Sequence, residues 1–308
     1  MQQTFYLKNW KAHAAVLSAN LIFGINFSAV QFITKKSIAP FGLNVIRVGV
    51  STLLLWALIF ISDTRAGIQK KDLGRFFLCA ITGVVINQML FIKGLSMTLS
   101  IHASLLILVT PIFITIVASW IGTEKLTPLK ITGLITGVSG AVILVINKEQ
   151  TATGSSLFWG DLFIIINAIS YAFYFVLVKP LMKEYNPVHV IRWVFTLSLL
   201  FVIPIGFNEF AAINWSLFSW KEILATGFIV IGATFLAYLF NLYGIHKLGA
   251  GITGSYIYTQ PFFASVIAVL ILNESFTYEK VIAALLIMGG VFLVSRKAKE
   301  EKSEKSKR

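Results

Sequence analysis

Charge is scarce in this chain. Only 13% of its 308 residues are charged, 57% are hydrophobic, and the mean hydropathy is +0.82. A soluble domain carries about 25% charged residues. There is too little charge here to cover a globular surface in water, so lipid must be the solvent for most of the chain. Cysteine is almost missing as well. Cys79 stands alone in an apolar run, which excludes a disulfide framework and a cysteine-built zinc site. A lone cysteine in that setting reads as a small buried hydrophobe. Acidic residues are few, 13 against 26 Lys and Arg, and none falls in the middle of an apolar run. A carboxylate proton relay of the pump type is therefore not expected. The sequence has no H-E-x-x-H, no G-x-S-x-G and no metal cluster, and its four histidines (His13, His102, His189, His246) are scattered. These absences argue against an intramembrane enzyme, and no cofactor or metal is expected.

The net charge of +13 raises the question of nucleic acid. The placement of the charge answers it. Basic residues concentrate in the tail from Arg296 to Arg308 and in short stretches between apolar runs. That pattern fits anionic headgroups and the positive-inside rule, so the expected partners are membrane lipid and a small-molecule solute, with no nucleic acid.

Ten apolar runs are long enough to cross a bilayer: 12–34, 41–62, 75–93, 99–121, 128–147, 157–178, 188–206, 221–243, 250–272 and 279–296. The first follows Lys8 and Lys11 but is long for a signal core and holds Asn20, Asn26 and Gln31, so it is read as a retained helix. With the N-terminus in the cytoplasm, Arg65, Lys70, Lys71, Arg75, Lys125, Lys130, Lys179, Lys183, Lys247 and the tail share one side. Lys35, Lys36, Lys93, Lys148, Lys221 and Lys280 take the other. The excess predicts a multi-pass protein of the cytoplasmic membrane with both termini inside.

The chain also carries one signature twice. Pro111, Glu124, Thr127 and Lys130 stand 150 residues before Pro261, Glu274, Thr277 and Lys280. Pro, Glu and Lys are rare enough here for these matches to be informative. Five runs per copy is an odd number, so the second copy is expected to be inverted. The predicted fold is an all-α polytopic membrane protein of ten transmembrane helices, built as two inverted five-helix repeats. The first repeat is 1–149, the second 150–296, and a basic cytoplasmic tail covers 297–308. Such a duplication places a solute site near the midplane, between the repeats.

The run "NLIFGINF" opening the first helix, a proline in the fourth and ninth runs, and "EKLT" and "ESFT" after them together resemble the EamA-type branch of the drug/metabolite transporter superfamily. "NAISYAFYF" from Asn167 is similar to the degenerate second opening, and "VIRVG" around Arg47 and "VIRWV" around Arg192 are similar to each other. The resemblance covers nearly the whole chain. It implies a solute exporter or exchanger, often of amino acids or related metabolites. A lipid flippase or scramblase is the alternative.

Polar residues inside the runs are the candidate substrate-binding groups, because in lipid they must find partners. They are Asn20, Asn26, Asn87, Gln88, His102, Tyr174, Tyr238, Asn241, Tyr258 and Gln260, with Ser104, Tyr171 and Tyr256 beside them. Interhelical hydrogen bonding explains some of them; the others suit a pocket with aromatic walls and a few convergent polar groups. Pro111 and Pro261 are expected near mid-span, as hinges whose freed carbonyls face the site or as static kinks. Thr127 and Thr277 suit helix N-caps, with Glu124 and Glu274 near the same helix starts. Arg47 and Arg192 either snorkel and pair locally or hold an anionic group of the solute. Gly133, Gly137 and Gly140 form a small-residue face, for packing within a monomer or for a homodimer seam.

Overall fold

The computed structural model describes residues 10–58, 67–122, 126–146, 154–248, 253, 256–275 and 277–295. Among them there is no β-strand. The helices in chain order are α1 (Trp10–Lys36), α2 (Pro40–Ala57), α3 (Lys70–Met97), α4 (Ser100–Trp120), α5 (Pro128–Ile146), α6 (Gly154–Glu184), α7 (Pro187–Ala211), α8 (220–248), α9 (Tyr256–Leu272) and α10 (Tyr278–Ser295). The first eight are long and apolar enough to cross a membrane, and α9 is a shorter apolar helix. This is a multi-pass membrane protein. Glu124 and the tail 297–308 lie outside the described residues.

Four helices depart from regular α geometry, and the departures come in pairs. Ile81–Val85 in α3 and Phe228–Leu236 in α8 are π-helical. Helix α4 is interrupted at Leu108 and Val109, between Ser100–Ile107 and Thr110–Trp120. Helix α9 opens with a 3₁₀ segment, Tyr256–Thr259, before Gln260–Leu272. Both prolines sit in the first turn of the second piece, Pro111 in Thr110–Trp120 and Pro261 in Gln260–Leu272. Sequence alone suggested a kink in the middle of a continuous helix; the structure instead ends one α-helix and starts another. The reason is local. Proline has no N–H and its ring clashes with the carbonyl four residues earlier, while the first turn of a helix needs no such donor. The Ile107 carbonyl, four residues before Pro111, accepts instead from the Thr110 hydroxyl at 2.6 Å. In α9 the Thr259 hydroxyl donates to the Tyr256 carbonyl at 2.7 Å, within the 3₁₀ segment that precedes Pro261.

Two of the four apolar clusters among the described residues are large and hold the bundle. One joins Phe27, Ile92, Leu106, Ile164, Ala268 and Ile287, from α1, α3, α4, α6, α9 and α10. The other joins Val48, Phe76, Cys79, Leu181 and Phe195, and Cys79 is the buried hydrophobe its setting predicts. The glycine face of α5 is consumed inside the monomer. A side chain on Gly133 would meet the Gly290 carbonyl of α10 at 2.7 Å, and one on Gly140 the Ala283 carbonyl at 2.8 Å. Close backbone contact replaces hydrophobic drive in lipid, and this face packs against α10 within the chain.

Candidate functional site

The two π segments face a common interior. The Tyr174 ring of α6 lies against Gly83 of the first segment. Tyr171 is 5.7 Å from Tyr174 between ring centroids, and both are within electrostatic reach of Tyr238 in α8. Tyr238 meets Phe23 of α1 edge-on at 6.4 Å and Phe195 of α7 at 6.2 Å. Its hydroxyl is within electrostatic reach of Arg47 on α2. The Arg47 Nε donates to the Thr234 hydroxyl at 2.6 Å, and Thr234 belongs to the second π segment. The result is an aromatic cluster carried by α1, α2, α3, α6, α7 and α8, with one guanidinium beside it; this cluster is the candidate wall of a solute chamber. π-helical turns recur at functional sites because they loosen the backbone hydrogen-bond ladder. Here the Thr234 hydroxyl donates to the Ile229 carbonyl, five residues earlier in the same π segment, at 2.9 Å.

Several buried polar atoms beside this chamber have no hydrogen-bond partner: Asn26 Oδ1, Asn44 Nδ2 and Oδ1, Arg47 Nη1, Ser51 Oγ and Gln88 Oε1. Buried polar groups are nearly always satisfied. Asn44, Arg47 and Ser51 lie three and four residues apart and so share one face of α2. Asn26 follows Phe23 by three residues on α1, and both lie on the side that meets Tyr238.

The remaining sequence candidates are placed elsewhere. Asn20 and Gln260 come together, with the Gln260 amide donating to Asn20 Oδ1 at 2.8 Å. That contact depends on Gly24, where any side chain would strike Phe263 and Ala264 of α9. Asn87 joins a reciprocal clasp between α3 and α6, donating to the Asn167 carbonyl and accepting from the Asn167 amide at 2.6 Å on its own carbonyl. His102 is buried against Asp161 at 3.0 Å, and Asp161 also accepts from the Thr98 hydroxyl. Asn241 is half-buried one turn beyond Tyr238, and Tyr258 packs on the larger apolar cluster. Arg192 takes the local role: its Nη2 meets His189 Nδ1 at 2.8 Å and its guanidinium stacks 5.0 Å from the Trp56 ring.

Sequence reasoning missed Thr234, Asn44 and Ser51. A hydroxyl within an apolar run gives no signal of what it faces. It also placed Glu274 near its own helix. The carboxylate instead reaches across the bundle to the N-terminus of α4, accepting from Ser100 N at 2.8 Å and Ile101 N at 3.0 Å. Glu209 does the same for α2, accepting from Phe41 N at 2.6 Å and Gly42 N at 3.0 Å. Thr127 does cap its own helix, accepting from Lys130 N at 3.3 Å. A cleft of about 340 Å³ opens at the Glu274 end beside Gln31 and Lys35, and none of the chamber residues lines it.

Residues 10–146 and 158–296 each match the EamA-like transporter family. The chain belongs to that family. Two matches in tandem also bear on the repeated landmarks described above. Among relatives of this EamA-like chain is the "Uncharacterized transporter YoaV" of Bacillus subtilis, 24% identical over 92% of this chain and 96% of its own. An "Uncharacterized transporter" of Archaeoglobus fulgidus is 24% identical over 94% and 99%. A WAT1-related protein of Arabidopsis thaliana is 26% identical over 75% and 70%. A solved crystal structure superposes over 92% of this chain and 96% of its own with a TM-score of 0.60 at 17% identity, which shows a shared fold.

Proposed function

We propose that this membrane transporter is a secondary carrier of a small organic metabolite, with amino acids among the candidates, acting as an exporter or exchanger. In this reading the ten helices form two inverted five-helix repeats, with boundaries near residue 150, that alternate access to the chamber. The membrane is the cytoplasmic one and both termini are inside. The observation that carries the reading is the recurrence of the same irregularities in both halves, a π segment followed by a proline-led half-helix, with aromatic and orphaned polar groups beside the π segments. Discontinuous helices at corresponding positions are how repeat-built carriers place a site in the interior. The relatives bear transporter names, which favours a solute carrier over a flippase or scramblase.

The test is counterflow in proteoliposomes loaded with labelled amino acids, with and without a pH gradient. Saturable exchange of one class is the expected result, and the gradient's effect reads the coupling. A folded, reconstituted protein that exchanges neither amino acids nor a wider metabolite pool would overturn the reading.

A further inference from the structure

Arg47 is 6% exposed and is the only charged side chain among the chamber residues described above. Its Nε is committed to Thr234. The proton of the Thr234 hydroxyl is itself committed to the Ile229 carbonyl, so an oxygen lone pair is turned toward the guanidinium and holds it in one orientation. On the other side Nη1 is buried with no hydrogen-bond partner. Among the described residues Arg47 has no carboxylate within ion-pair distance. A guanidinium does not shed its proton under these conditions. A buried charge of this kind is strongly unfavourable until a counter-charge reaches it. The guanidinium is therefore fixed in orientation by Nε and keeps an uncommitted donor at Nη1.

The surroundings restrict what that anion is. The walls are Phe23, Tyr171, Tyr174, Phe195 and Tyr238, which favour a flat apolar body. A single guanidinium matches a single carboxylate through its two-toothed donor edge. A phosphate dianion calls for a second cation, and Arg192 is engaged with His189 and Trp56. We propose that Arg47 anchors the carboxylate of a monoanionic or zwitterionic solute whose apolar, preferably aromatic, body lies against these rings. Thr234 is the positioning residue that aims it. The inference rests on the carrier reading and narrows it to a substrate class.

The test compares acids with their own amides, which share a body and differ in charge. Benzoate, 3-phenylpropionate and L-phenylalanine, each beside its amide, are titrated against the full-length protein in detergent, with binding read by tryptophan fluorescence. At least one acid should bind about tenfold or more tighter than its amide, the scale of a lost charge-assisted hydrogen bond. Arg47→Gln should bring acid and amide to about the same affinity, and Arg47→Lys should keep part of the preference because it keeps the charge without the fork. Thr234→Val should weaken the acid about threefold and leave its advantage over the amide in place, as loss of one orienting hydrogen bond does.

Equal binding of acids and amides to the wild type overturns the inference, as does no binding of any acid, or an unchanged preference in folded Arg47→Gln. The same titrations are run with added phosphatidylglycerol and with phosphatidylcholine. If phosphatidylglycerol alone engages Arg47 and no acid competes, the site is a lipid headgroup site and the solute assignment falls. The two readings fail differently. Counterflow indifferent to Arg47→Gln keeps the carrier and removes this anchor. Arg47-dependent acid binding without counterflow keeps the anchor and removes the carrier.

Discussion

The two ends of the bundle are closed by different chemistry. At the end where α1 finishes, carboxylates reach over long sequence distances to backbone and buried partners. Glu274 caps α4, Glu209 caps α2, Asp161 takes Thr98 and His102, and the buried Glu222 pairs with the exposed Lys36 at 2.5 Å. Gln31 adds a bond from its amide to the Thr98 carbonyl at 2.6 Å and accepts from the Ser100 hydroxyl at 2.9 Å. At the opposite end the Tyr185 hydroxyl donates to Asp72 at 2.7 Å and Lys71 pairs with Glu184 at 3.0 Å, with Lys71 61% and Glu184 50% exposed. A carboxylate on two orphan N–H groups of a helix start is satisfied and favoured by the macrodipole. An exposed ion pair is worth little. The difference teaches which end is the firmer lock: the Glu274 end is held by several buried or half-buried carboxylates, the Asp72 end by one hydrogen bond to the buried Asp72 and one exposed ion pair.

The comparison is broken most severely at Asp161. It is 1% exposed, and its loss leaves both His102 and Thr98 buried without their partner. Asp161→Ala should lower stability by about 3 kcal/mol, the scale of a buried group left unsatisfied. Thermal unfolding in detergent measures it. A midpoint as high as the wild type's would mean that this end is not locked by its carboxylates.

Glu274→Ala is the next largest. The carboxylate is half-buried, and removing it returns two N–H groups of α4 to an unsatisfied state. A loss of about 2 kcal/mol is expected, at the upper end of measured cap deletions. Glu274→Gln keeps one acceptor oxygen and should recover part of it. If Glu274→Gln and Glu274→Ala unfold together, charge rather than hydrogen bonding carries the cap.

How far the sequence reaches can be judged at these same residues. The apolar runs announced the helices, because a span in lipid needs about 20 apolar residues in a row. The prolines announced the interruptions of α4 and α9, although not that each would open a half-helix. Glu274 was visible as half of a repeated motif, but its partners are 174 and 173 residues away. No local pattern says which helix start a carboxylate will meet. The π segments have no composition of their own, so the pairing of Arg47 with Thr234, 187 residues apart, was out of reach. Asn20 and Gln260 were both named from polarity alone, and only folding shows that they bond to each other.

The smallest effect belongs to the opposite end, and it is the one that sharpens the contrast. Lys71→Ala removes an exposed ion pair and should leave the unfolding midpoint unchanged, since such pairs contribute little or nothing. Tyr185→Phe removes the Asp72 bond and should cost about 1 kcal/mol, the value of a single partly exposed hydrogen bond. Burial, and then the Asp72 carboxylate, push the Tyr185 phenol above its ordinary pKa. Its contribution is therefore full below the ordinary phenol pKa and fades as pH rises through the raised value. Neutral-pH measurements sit on the full side of that window. If Tyr185→Phe or Lys71→Ala destabilised the protein as much as Asp161→Ala, the two ends would be equally locked. Should the ranking hold, the contacts of the Asp72 end contribute less to the stability of the bundle than those of the Glu274 end.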